Sequence, residues 1–218
     1  MHVVETKVYQ FSELDESAKD RAREWYREGV CTDSDWYEFV YEAATTAATL
    51  LGIEIGTKSH KTMGGSTGYS PRIWFSGFAS QGDGASWEGE YQYKRGSCAA
   101  VRAEFPQDTE LHGIADRLYR VQRRNFYSLS AHVSQSGRYQ HSGSMAITVS
   151  RHDDDFYTSY ERDTDSDGYE VVQVLREFAD WIYSSLESEY EYQNSNESVD
   201  ESIEANEYTF TESGKRFG

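Results

Sequence analysis

Apolar positions along the chain switch repeatedly between a helical and a strand period. Val3 to Phe11 alternates loosely around Val4, Val8 and Tyr9 and predicts an opening strand. Ser12 then reads as an N-cap, with Glu13, Asp15 and Glu16 in a first turn where negative charge suits the helix dipole. Leu14, Ala18, Ala22 and Trp25 give that helix one apolar face, and Gly29 closes it. A second helix is expected from Asp33 or Ser34 to Gly52. Its broad apolar face, Trp36, Phe39, Val40, Ala43, Ala44, Ala47, Leu50 and Leu51, should lie deep in the core. Ile53-Glu54-Ile55 begins a strand, and Lys58 to Ser70 reads as a Gly/Ser/Thr-rich loop.

Pro71 to Arg95 is the most distinctive stretch. Two aromatic runs, Ile73-Trp74-Phe75 and Trp87 through Tyr93, flank the turn-forming hexamer Ser80-Gln81-Gly82-Asp83-Gly84-Ala85. The pattern predicts two neighbouring strands with a polar loop at their tip. Gly96 to Phe105 suits a short helix stopped by Pro106, and Asp108 caps a longer one through Asn125 with Leu111, Ile114, Ala115, Leu118 and Val121 inward. Phe126 to Ser134 and Ser144 to Arg151 alternate as a strand pair joined through Gly137 and Gly143. An acidic loop follows over 152–168, then a long helix from Glu170 to about Gln193, a short acidic helix over Asn196–Asn206, and an edge strand at Tyr208-Thr209-Phe210. The expected class is α+β: an antiparallel sheet with helices packed on it, in one compact domain with an acidic helical C-terminal part.

Composition changes this picture in two ways. Hydrophobic residues make up only 37%, but aromatics reach 15%, so an aromatic-heavy core is expected. The net charge of −17 is placed unevenly. Residues 152–208 hold 18 Asp and Glu against Arg162 and Arg176, while residues 1–151 are near neutral. The expected organisation is a near-neutral core over 1–151, with the acidic loop, helix and tail of 152–218 packed on the same domain. Direct nucleic-acid binding is not expected from so acidic a part, and a partner with a basic surface is. No secretory signal or membrane span is visible, and Cys31 and Cys98 lack metal-type spacing, so reduced thiols in a cytoplasmic protein are expected.

Asp163-Thr164-Asp165-Ser166-Asp167-Gly168 matches the front of a calcium loop, with Asp163, Asp165 and Asp167 as candidate ligands. Val174 stands where that loop needs a bidentate Glu, so a solvated acidic turn is the competing reading. At 100° per residue, Glu170, Glu177, Asp180, Glu187 and Glu191 share one stripe of the long helix. A solvated helix face explains such a stripe. Carboxylates imitating DNA phosphates explain it too, and Asp153, Asp154 and Asp155, the 163–167 loop and Glu197 to Glu207 add to the same field. No nucleophile elbow, Walker loop or dinucleotide loop is present. His132 and His141 could meet across a hairpin, which leaves a metal-dependent hydrolase or nucleotide-processing enzyme as an alternative. Arg117, Arg120 and Arg124 form a cationic stripe that fits either nucleic acid or the chain's own acids.

At Trp74-Phe75-Ser76-Gly77-Phe78, Ser80 to Ala85 and Glu88-Gly89 the chain resembles a family of small phage and prophage proteins. Ala22 to Tyr26, Gln122 to Ser130 and Glu201 to Glu207 carry the same resemblance. Some members bear the label of an antitoxin of a toxin–antitoxin system. The resemblance implies a phage gene acting inside a bacterial cell and supplies no active site. With the charge map it suggests a non-enzymatic inhibitor of a host defence or other nucleic-acid-handling protein, contacting it through Asp153, Asp154, Asp155, Glu177, Asp180, Glu187 and Glu191. The alternative is antitoxin-like contact through Gln81, Asp83 and Trp87 at the hairpin.

Overall fold

A computed structural model describes residues 7–29, 36–62, 64–153, 156–160 and 166–218. In chain order the elements are β1 (Tyr9–Gln10), α1 (Glu16–Gly29), α2 (Glu38–Leu51), β2 (Ile53–Ile55), β3 (Thr57–Lys61), β4 (Thr67–Pro71), β5 (Ile73–Ser76) and β6 (Gly84–Trp87). They continue with β7 (Gly89–Gln92), α3 (Ser97–Glu104), α4 (Thr109–Arg124), β8 (Leu129–Gln135), β9 (Met145–Asp153), β10 (Phe156–Tyr160), α5 (Ser166–Gln193), α6 (Asn196–Ala205) and β11 (Thr209–Phe210). The class is α+β with antiparallel sheets. Packing divides the chain into two compact units, Met1–Tyr37 with Glu187–Gly218, and Glu38–Leu186. The charge boundary after residue 151 therefore falls inside β9, not between packing units.

The larger unit is built on a five-stranded sheet of order β10-β9-β8-β7-β2. Strand alternation sorts its two faces. Ile53, Tyr91, Ala131 and Val149 are aligned across four strands and buried. The neighbouring row, Glu54, Glu90, His132 and Thr148, points to the other face. Gly52, at φ 86°, turns the chain from α2 into β2, and Gly89 admits the Glu54 carbonyl where a Cβ would lie 2.1 Å away. Gln122 of α4 is fully buried because it bonds both the Leu129 N–H (3.2 Å) and the Leu129 carbonyl (2.7 Å). Its amide also donates to the Tyr91 hydroxyl, whose pKa burial pushes up to about 12. α5 buries Val171, Val174, Leu175, Phe178, Ile182 and Leu186, a helical stripe, and Phe178 meets Trp87 of β6 at 6.0 Å between ring centroids.

The smaller unit has its own core of Phe11, Leu14, Ala18, Ala22, Val199, Ile203 and Phe210, edged by Trp25 and Tyr208. β1 pairs with β11, and α1 lies against α6. Arg23, 8% exposed, clamps the two helices with a bidentate bond to Asp200, both contacts at 2.7 Å.

Several expectations change. α1 starts at Glu16 because Asp15, not Ser12, caps it, accepting from the Ala18 N–H at 2.8 Å. Phe11–Glu13 forms a separate 3-10 turn. Asp33 and Ser34 lie outside the described residues. Phe39 is 78% exposed, since Val40, Ala44, Ala47, Ala48 and Leu51 already fill the buried stripe of α2. Lys58 to Ser70 is a hairpin, β3 against β4, rather than a loop. The second aromatic run breaks after Trp87: β6 pairs with β5, whereas β7 joins the main sheet. β10 occupies part of the expected acidic loop.

Candidate functional site

The β5–β6 hairpin forms with Ile73 opposite Trp87 and Ser76 opposite Gly84. Asp83 ties its loop from within, its carboxylate accepting from the Ala79 and Ser80 N–H groups at 3.0 and 2.6 Å. Tyr183 of α5 donates its hydroxyl to the Gly77 carbonyl at 3.0 Å, pinning the loop's first residue. Trp87 is fully buried and its backbone N–H donates to the Met145 sulfur at 3.4 Å. It is a core residue, so its expected role as a partner contact is corrected. Gln81 remains exposed at the tip.

The acidic stripe of α5 is partly neutralised. Glu177 is ion-paired with Arg117, and Arg124 holds both Glu170 and Asp167, the latter at 2.8 Å. The compensation absent at i+4 comes instead from α4, more than forty residues earlier. The Arg117/Arg124 part of the cationic stripe thus serves the chain's own acids, and Glu177 leaves the set of uncompensated carboxylates. Asp180 and Glu191 are exposed and Glu187 half-buried. Asp154, Asp155, Asp163 and Asp165 lie outside the described residues, as does the side chain of Asp153.

Around Glu110 the negative field has a measurable consequence. Burial pushes its carboxyl pKa up, and the charges of Asp108, Asp180 and Glu177 add to that. The folded protein therefore holds this proton more tightly than the unfolded chain. The group's stabilising contribution is present at low pH and is lost as pH rises through the raised folded pKa. Because Glu110 is exposed and solvent screens much of this effect, Glu110→Gln should raise the melting temperature at pH 7 by about 1 °C at most, a gain that disappears near pH 3 where the glutamate is itself protonated. Thermal melts of both proteins across pH measure this directly.

The calcium pattern fares differently from its sequence appearance. Its fourth position onward is already helix, since α5 begins at Ser166, and Gly168 is absent from the left-handed glycines. Asp167 is bonded to Asn125 (3.0 Å) and Arg124, and despite burial these bonds hold its pKa below the usual range. That aspartate is occupied as a helix-start contact. Among the described residues no group of three or more His, Cys, Asp or Glu is arranged to hold a metal ion.

The open sheet face carries a polar cleft of about 510 Å³ lined by Glu54, Arg72, Glu88, Glu90, His132 and Ser134. His132 bonds Glu90 at 2.6 Å and Arg72 pairs with Glu88 at 2.6 Å. His132 stands opposite Thr148 in the β8–β9 ladder, so it does not meet His141 by register. Cys98 is a free, half-buried thiol, its pKa raised chiefly by burial, and Cys31 lies outside the described residues.

In the smaller unit the acids are denser along the chain and less compensated. Residues 1–37 and 187–218 carry 18 acids and seven bases, −11 of the chain's −17. Most of these cations are engaged within the unit. Arg23 holds Asp200 and Asp20, Arg27 reaches the Asn194 carbonyl and Asn196, and Arg216 lies over Trp25 and Tyr208. Glu191, Glu197, Glu201, Glu204 and Glu207 are exposed, and no ion pair to them occurs among the described residues. Of these only Glu191 is legible from the periodicity of the long helix. Glu197 to Glu207 stand out by composition, but which carboxylates of α6 are exposed required knowing its buried face.

A family model described as Domain of unknown function (DUF8835) matches residues 36–196. The chain belongs to that family. The matched span contains every strand of the five-stranded sheet and the hairpin, whereas β1, α1 and β11 lie outside it. No curated protein and no solved structure matches the chain. Among the described residues no helix is long and apolar enough to cross a membrane.

Proposed function

We propose that this is a non-enzymatic, phage-encoded binding protein that inhibits a bacterial host-defence or other nucleic-acid-handling protein by occupying its cationic groove. The observation that carries this reading is the uncompensated acidic surface of the smaller unit, where Glu191, Glu197, Glu201 and Glu204 are exposed while neighbouring cations are committed internally. Carboxylates on successive helical turns present negative charge to the partner as a phosphate backbone does, and binding of this type is salt-sensitive. The half of α5 that faces α4 is not the contact surface, because Glu170 and Glu177 are already paired. The phage origin is supported by the sequence resemblance alone.

Affinity capture from a bacterial host, followed by identification of the bound proteins, supplies the target. Reversing Glu191, Glu197, Glu201 and Glu204 to lysine should weaken its binding by about tenfold or more and flatten the salt dependence. A target still bound and inhibited at full strength by the reversed protein would remove the acidic-surface mechanism.

A further inference from the structure

The turn that follows α4 is built against local preference. Asn125 caps the helix, and the Tyr127 N–H returns to the Gln122 carbonyl at 2.8 Å, the long bond of a Schellman ending. In such an ending the residue after the cap is left-handed and is usually glycine. Here it is Phe126, at φ 53°, followed by Tyr127 at φ 63°. Phe126 is 89% exposed, so its ring gains no burial in exchange for the backbone strain. The turn is nevertheless held firmly. Asn125 is buried, and its side chain bonds the Val121 carbonyl, Asp167 and Arg151.

The residue next to Phe126 in the turn, Tyr127, belongs to an aromatic cluster. Tyr127 packs on Tyr93 with ring centroids 4.4 Å apart, and Tyr119 lies 6.4 Å away. The charge of Arg123 reaches the Tyr127 hydroxyl, and Arg95 follows Tyr93 by two residues. Arg95 and Arg123 are both exposed. Of the seven bases in residues 93–127, Arg102, Arg117 and Arg124 are ion-paired to the chain's own acids, whereas Arg95 and Arg123 enter no ion pair among the described residues.

We propose that this turn binds single-stranded nucleic acid, with Phe126 stacking on an unpaired base and Arg123 and Arg95 on the flanking phosphates. Strand binding without sequence preference uses this pairing of stacking rings with a cationic track. A duplex offers no free base face to the ring. An acidic protein would satisfy the guanidinium groups and leave the ring idle. The turn belongs to the larger unit, Glu38–Leu186.

The test uses the full chain and fluorescently labelled oligothymidylate and oligouridylate of about 20 nucleotides, with a matching duplex, read by anisotropy over a range of salt. Binding to one or both single strands, with the duplex weaker, is expected, and the two arms separate DNA from RNA as the source. Phe126→Gly relieves the left-handed strain, so it should raise the melting temperature by about 2 °C while weakening strand binding by about tenfold or more. Opposite signs on stability and binding are not produced by a structural role. Arg95→Gln with Arg123→Gln should lower the salt slope by about 1.4, two single-strand phosphate contacts. Three results overturn the proposal: no strand binding at low salt, unchanged binding by Phe126→Gly, or self-association of the protein alone that Phe126→Gly abolishes, which would give the patch to a second copy.

Discussion

Trp87→Ala is expected to destabilise the larger unit by about 3–5 kcal/mol, as loss of a fully buried aromatic does. The side chain is at 0% exposure, faces Phe178 of α5, and sits opposite Ile73 in the β5–β6 ladder. Truncation therefore opens a cavity against a helix and a hairpin together. Trp87→Phe should be far milder, about 1–2 kcal/mol, because the indole Nε1 has no hydrogen-bond partner among the described residues and a ring still fills most of the space. Denaturant unfolding of the two variants measures the contrast. If the alanine variant is near wild type in stability and defective only in partner binding, Trp87 is a contact residue after all and the hairpin reading returns.

Arg23→Ala should destabilise the smaller unit by about 2–3 kcal/mol, below the ~3–5 of a fully buried pair because Asp200 is partly exposed. Removing the guanidinium strands the Asp200 carboxylate beside α1, loses the bond to Asp20 at 2.8 Å, and takes a cation from over the Phe11 ring. Amide hydrogen exchange across α1 and α6 is the direct readout, and it should accelerate in both helices. Pairing Arg23→Met with Asp200→Leu should recover most of the loss, since neither charge is then left alone. A double variant no better than Arg23→Ala would mean that the clamp acts through shape and not charge.

The two variants also separate what a sequence states from what it withholds. Trp87 and Arg23 both sit in patterns that are readable locally, one in an aromatic strand, the other on an amphipathic helix. Their burial is not readable, because it depends on Phe178, Met145 and Asp200, which lie 58 or more residues away in the chain.

By itself the sequence determined the α+β class, the positions of the helices from α3 onward, the Asp108 cap, the β8–β9 pair and the excess of acid. All of these follow from short-range rules: hydrophobic period, capping chemistry and composition. The tertiary structure decided which acids are free. Arg117 and Arg124 meet Glu177, Asp167 and Glu170 only because α4 and α5 pack together, so a stripe that looks uncompensated along one helix is compensated across two. It decided that Lys58 to Ser70 is a hairpin, since the ladder bonds between β3 and β4 outweigh a loop-like composition. It also decided that Phe126 stands exposed in a left-handed turn beside Tyr127, which packs on Tyr93, because a residue's exposure and backbone sign are properties of the fold around it and not of its name.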